Sequence, residues 1–410
     1  MPAGLTDKVN DVLMDLGASH LVSASARWDT SKFLEDEKSV SHTMVLNREN
    51  IKPALFDYQE DLVSKVTAIH GTGGKYLLSL PTGAGKTRTA MAAVLDVLNQ
   101  RPTSRCLWLA PSRELIDQAA STFAQMWRSS ADAPDCSVGV RGENQSSDFL
   151  WLQTPQHLHA RQNSLDDFEL VIFDEAHQLG APTFRSAVEL VCGSPESTLL
   201  GLSATPGRAD DVETVELVKY FSGRLLTSDV LGSNPVRELQ DRGVLSRLDF
   251  KRISPKQESW DKHNRRRAVI QLVKKLAERG RQTLVFTETV AESVAFSEIL
   301  KHQSYPVDFV DGTISNNERS DRLAGFASGR IKVIFNQRLL ATGYDCPAVS
   351  DVVLGSRIGS PVLFEQIVGR AARGPLTGGS TYARVWEFEN HREIHGLPQS
   401  YYRYRQFSWN

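Results

Sequence analysis

Cysteine is scarce and scattered. The four in 410 residues, Cys106, Cys136, Cys192 and Cys346, form no CxxC pair, which excludes the thiolate spacing of a structural zinc module. Nothing at the N-terminus reads as a signal peptide, and two of the cysteines fall in or near expected core strands, so reduced, buried thiols are expected rather than disulfides. Long apolar runs are also missing, which excludes a helix that spans a bilayer. The opening MPAGLTDKVNDVLMDLG is an amphipathic, partly acidic helix pattern without transit-peptide character. A cytoplasmic chain with no membrane partner is therefore expected. Neither charge is in excess: 47 basic against 49 acidic residues leave a net charge of −2. The whole-molecule field thus offers phosphate no general attraction, and any nucleic-acid contact must rest on a local basic surface. Internal repeats and low-complexity tracts are absent too. What remains is ordinary globular composition, 40% hydrophobic and 23% charged, at a length that calls for two or three cores.

Short apolar, β-rich runs alternate with helical patterns: YLLSL, RCLWLA, LVIFDEA and TLLGLSA, then, after a charged helix near residues 260 to 280, QTLVFTE, PVDFVDG, IKVIFN, SDVVLGS and TYARVWEF. Such alternation predicts two parallel sheets flanked by helices. Residues 1–50 read as an N-terminal helical extension, 51–248 as a first α/β domain and 249–410 as a second with a short tail.

The strand YLLSL runs into PTGAGKT and then into the helix former RTAMAAVLDVLN. Strand, glycine loop and helix are the context of a phosphate loop. Within Pro81, Thr82, Gly83, Ala84, Gly85, Lys86 and Thr87, the two glycines let the backbone amides turn inward and the helix N-terminus adds positive dipole. Lys86 suits the β and γ phosphates of ATP, and Thr87 suits Mg²⁺. Leu80 stands where the strict pattern has its first glycine. Downstream, LVIFDEAH delivers Asp174 and Glu175 at the C-terminal end of a buried strand, the edge where α/β sheets place ligands. Asp174 suits the Mg²⁺ shell, and Glu175 suits orientation and deprotonation of an attacking water.

PTGAGKT, DEAH at 174–177 and SAT at Ser203, Ala204 and Thr205 together resemble the superfamily 2 DEAH-box helicases. The resemblance implies two tandem RecA-like domains with the nucleotide site in the cleft between them. In FDYQ it implies that Gln59 reads adenine. In APSRELIDQ and QTPQ it implies nucleic-acid backbone contacts at Pro111, Ser112, Arg113, Thr154 and Pro155. FEQIVGRAARG resembles the family's QxxGRxxR element, with Arg370 and Arg373 as arginine fingers. Residues spaced i and i+3 share a helix face. LLATGYDCP resembles motif V, with Gly343 and Asp345 toward the nucleotide and Thr342 toward nucleic acid, and TLVFTET resembles motif IV, with Thr287 as a backbone contact. His177, Ser203, Thr205 and Gln366 fall at coupling positions. The motifs cover residues 55 to 375 in family order, and the set is most similar to the type III restriction helicase subunit and DNA repair branch.

That branch implies an ATP hydrolase that moves on or unwinds DNA with little sequence specificity. RNA remodelling and a nucleotide switch without motor activity are the alternatives. No second carboxylate cluster has nuclease spacing, so cleavage would fall to a partner protein, and a monomeric motor is expected. Two basic segments lie outside the motifs. NRRRAVIQLVKKLAERGR reads either as a solvated face or as a lining of the strand path. YYRYRQFSWN reads either as a tail packed on the second domain or as a base-stacking surface.

Overall fold

Fully apolar four- to six-residue runs become buried strands because both sheet faces are covered by helices. In the computed structural model, residues 4–21, 42–43, 55–128, 137–140, 148–159, 168–208, 210–253, 261–395 and 407–409 are described. The first sheet contains β1 (His42–Thr43), β2 (Gly74–Ser79), β3 (Cys106–Leu109), β4 (Ser137–Val140), β5 (Asp148–Gln153), β6 (Leu170–Phe173), β7 (Thr198–Ser203) and β8 (Leu225–Leu226). Its order is β1-β4-β5-β3-β6-β7-β2-β8, and every pairing except β1 with β4 is parallel. The second sheet contains β9 (Arg247–Arg252), β10 (Thr283–Phe286), β11 (Val307–Phe309), β12 (Val333–Asn336), β13 (Asp351–Leu354) and β14 (Tyr382–Glu387). It is wholly parallel, in the order β11-β12-β10-β13-β14-β9.

The chain divides into two compact units. An N-terminal lobe holds Ser39–Leu239 and Gln399–Asn410, and a C-terminal lobe holds Met1–Lys38 and Gln240–Pro398. Residues 240–246 join the C-terminal lobe because Ser246 N donates to Ala372 O, Gly374 N donates to Val244 O, and Leu245 bridges Arg373. The amphipathic helix Leu5–Asp15 packs on the helix Val290–His302 of the same lobe, burying Val9, Val12 and Leu13 in its core. Most of the remaining helical extension expected over residues 1–50 lies outside the described residues.

The basic helix Lys262–Glu278 keeps a solvated face, with Lys262, Arg267 and Lys275 exposed, and turns two of its arginines inward. Arg265 is bonded to Gly355 O, Glu288 and Glu292, and the buried Arg266 joins Glu292 to Asp15. Most of the aromatic tail lies outside the described residues. Its Trp409 packs on the core of the N-terminal lobe rather than on the second domain, and its indole donates to Pro206 O at 3.0 Å.

Candidate active site and nucleic-acid face

Beyond β2 the chain turns through Pro81–Gly85 into the helix Lys86–Gln100. Gly83 and Gly85 have φ of 92° and 87°, a left-handed conformation that favours glycine. A Cβ on Gly85 would stand 2.5 Å from the Gln59 amide nitrogen. Gln59 is buried and staples this loop: its Nε2 donates to Ala84 O at 3.2 Å, and its Oε1 accepts from Phe56 N. Tyr58, which no motif singles out, donates its hydroxyl to the same Ala84 oxygen at 2.9 Å. Two side chains of one helix turn thus hold the loop open-backed, with its amides and Lys86 at the helix start. This cradle fits a polyphosphate.

Strand β6 leads directly to Asp174, whose amide donates to Leu109 O. Asp174 and Glu175 are both nearly solvent-free. Burial first, and then the Glu175 charge, push the Asp174 carboxyl up to about 7, while Lys86 pulls it down. Two buried carboxylates beside one ammonium make an oxygen donor set suited to a divalent cation at Asp174. Glu175 adopts φ 55° and ψ 49°, unusual for a residue with a Cβ. Its amide donates to Asp174 Oδ1, and its Oε2 lies 3.3 Å from His177 Nδ1. On β7, Ser203 donates its hydroxyl to Thr205 O at 2.6 Å and accepts from Thr205 N, so SAT is a closed local turn between β6 and β2.

The remaining N-terminal candidates stand on the neighbouring strands. Pro111, Ser112 and Arg113 follow β3, and Thr154 and Pro155 follow β5. The pairing of Leu109 with Gln153 and a bond from Ala110 N to Gln153 O bring the two groups to one edge. Arg113 is exposed there, at the start of the helix Arg113–Arg128. The sheet order therefore sorts its C-terminal edge, with backbone-contact candidates on β5 and β3 and nucleotide candidates on β6, β7 and β2.

In the C-terminal lobe, Arg370 Nη1 donates to Tyr344 O at 2.5 Å, and Arg373 forms a two-pronged pair with Asp345 at 2.6 and 2.9 Å. Gly343 has φ 73°. The structure thus joins Arg370, Arg373, Gly343 and Asp345, with Thr342 adjoining, and the Arg370 side chain donates from Nε to Gln366 O. The two arginines do not share a helix face, however. The helix Pro361–Gly369 tightens to i→i+3 bonds after Ile367, and Arg373 is drawn out by its bridge to Leu245. Thr287 follows β10 as expected, but its hydroxyl is turned inward, buried against Ser293 Oγ and Thr289 O. Beside it lies a cavity of about 430 Å³ lined by Arg338, Arg357, Ile358, Glu389 and His391 as well as Thr287. Arg338 and Arg357 are the exposed cations there, and no motif had marked either.

A parallel α/β lobe with a phosphate loop, followed by a second parallel lobe with an arginine turn tied to a glycine loop, defines a two-lobed P-loop protein. Residues 52–208 match the family described as type III restriction enzyme, res subunit, and residues 264–375 match the helicase conserved C-terminal domain. The chain belongs to the superfamily 2 helicases, near the type III restriction branch.

Among curated relatives, the putative helicase 22 of Sulfolobus islandicus filamentous virus is 24% identical over 73% of this chain and 58% of its own length. The putative ATP-dependent helicase IRC3 of Saccharomyces cerevisiae is 25% identical over 78% of this chain and 50% of its own. The chain thus spans little more than half the length of these relatives. Among solved structures, S. cerevisiae Dbp5 bound to RNA and ADP BeF3 shares the fold with a TM-score of 0.61, at 18% identity, over 85% of this chain and 91% of that one. The helicase MrfA bound to DNA does so with a TM-score of 0.62, at 16% identity, over 85% and 53%. No described helix is long and apolar enough to cross a membrane.

Proposed function

We propose that the chain is an ATP-driven motor of the DEAH class that moves along or separates nucleic acid, preferring DNA to RNA and reading little base sequence. The observation that carries this reading is the sorted edge of the first sheet. There the stapled phosphate loop and the Asp174–Glu175 pair lie beside a second set of residues suited to a sugar-phosphate backbone. Lys86 and the loop amides bind the ATP phosphates, and Asp174 and Thr87 hold Mg²⁺. When bound, that ion neutralises charge on the phosphate oxygens. Glu175 orients the attacking water and takes its proton, with His177 fixing the carboxylate. Arg370 and Arg373 supply guanidinium charge to the transferring phosphoryl group. Ser203, Thr205 and Gln366 link nucleotide state to strand contact. Contacts through phosphate and sugar make binding salt-dependent rather than base-specific.

DNA preference and a nuclease as partner are supported by the restriction-subunit match, and the proposal includes a monomeric motor working in the cytoplasm. Displacement of a labelled strand from partial DNA and RNA duplexes, with ATP or a non-hydrolysable analogue, tests the proposal. ATP-dependent displacement from DNA supports it. Displacement from RNA alone transfers the motor to RNA remodelling, and none from either, with hydrolysis indifferent to polynucleotide, leaves a nucleotide switch.

A further inference from the structure

Two histidines grip the backbone of one residue, Ile358, in the C-terminal lobe. His391 is 1% exposed, and its Nε2 accepts from Ile358 N at 3.2 Å. An amide N–H can donate only to an unprotonated ring nitrogen, so Nδ1 carries the proton and donates to Glu387 Oε2 at 2.8 Å. One turn later, His395 Nε2 lies 2.6 Å from Ile358 O and so donates to it. Both rings pack on Phe364, with centroids at 5.5 and 5.7 Å, and Phe364 lies fully buried in the helix Pro361–Gly369.

What the clamp holds lies between two functional features. One residue before Ile358 is Arg357, exposed at the mouth of the 430 Å³ cavity and paired with Glu389 at 3.4 Å. Two residues after it is Ser360, whose hydroxyl caps the start of that same helix. The helix runs out into Arg370 and Arg373. A phosphodiester drawing Arg357 from Glu389 would therefore load the backbone at Ile358, and the load would reach the arginine turn through the capped helix and the Phe364 stack.

We propose that the His391–His395 clamp on Ile358 is a positioning device that transmits occupancy of the Arg338–Arg357 cavity by a nucleic-acid backbone to the placement of Arg370 and Arg373. The proposal rests on the nucleic-acid motor reading above. His391 lines the cavity and His395 does not, and each acts on the arginine turn through Ile358.

The test measures ATP turnover with and without single-stranded DNA or RNA for wild type, His395→Phe and His391→Phe. His395→Phe keeps a ring on Phe364 and removes only the bond to Ile358 O. It is expected to leave basal turnover and the KM for ATP unchanged and to lower the polynucleotide-stimulated kcat about tenfold, the scale of one coupling term. The DNA concentration for half-stimulation should move less than threefold, roughly the scale of a bond that does not touch the strand. His391→Phe should lower the ratio of stimulated to basal turnover at least as far, and if it fails to fold, His395→Phe decides alone. Basal and stimulated rates falling together would reduce the clamp to a structural prop and overturn the proposal, as would full stimulation in His395→Phe. A wild type that no polynucleotide stimulates overturns the motor reading and the clamp with it.

Discussion

At the scale of single residues, Glu175 shows the cost of the chemistry. Its left-handed backbone and its near-complete burial beside Asp174 both oppose stability. They persist because the turn from β6 must present two carboxylates at once. Replacing it by glycine, which takes that backbone freely, is expected to raise stability by about 1 kcal/mol while abolishing hydrolysis. Thermal unfolding checks this, and a lower melting temperature would show that the turn is not strained. Arg373 leads to a second prediction. With its pairing to Asp345, Arg373→Ala should leave ATP binding within threefold and lower kcat by roughly 10²- to 10³-fold. Nucleotide titration and single-turnover hydrolysis read the two separately, and wild-type turnover would remove Arg373 from the phosphoryl site.

At this scale the sequence was legible where chemistry is local. Lys86 opens the helix after β2 and Asp174 follows β6, strands that their apolar runs announce. The inward hydroxyl of Thr287, the Tyr58 staple and the cavity cations Arg338 and Arg357 were not legible. Each depends on a partner remote in the chain, or on a rotamer that a neighbouring element selects.

At the scale of elements, fully buried strands such as LVIF and TLVF read directly from their composition. A two-residue strand such as β8 had no pattern to announce it and exists because a neighbouring strand offers its backbone. The N-terminal helix Leu5–Asp15 is the clearest case of partial legibility. Its amphipathic period predicted a helix, while its docking on the C-terminal lobe rests on charge partners some 250 residues away. Burial tends to raise the Asp15 carboxyl, but bonds from Arg266 and His263 outweigh this and hold it below the usual range. A depressed carboxyl stabilises docking above its ordinary pKa, and that contribution is lost as pH falls through the depressed value. Asp15→Ala should therefore loosen the helix by about 1 kcal/mol at neutral pH, the side chain being partly exposed. Hydrogen exchange over Leu5–Asp15 reports this, and unchanged protection would assign the docking to Val9, Val12 and Leu13 alone.

At the scale of the whole molecule, alternation of strand and helix foretold two parallel sheets. It did not foretell which lobe would take the ends of the chain: the N-terminal helix joins the C-terminal lobe, and Trp409 returns to the N-terminal one. With a net charge of −2, affinity for a polyanion must come from local cations such as Arg113, Arg338 and Arg357. Strong salt dependence follows.

The central claim is tested most directly by steady-state ATP turnover with no nucleic acid, single-stranded DNA, duplex DNA and RNA, each at low and high salt, with Lys86→Ala as control. The account predicts stimulation by DNA that weakens steeply with salt and no turnover in Lys86→Ala. Turnover of the wild-type protein that is the same in all four conditions and at both salts would contradict it.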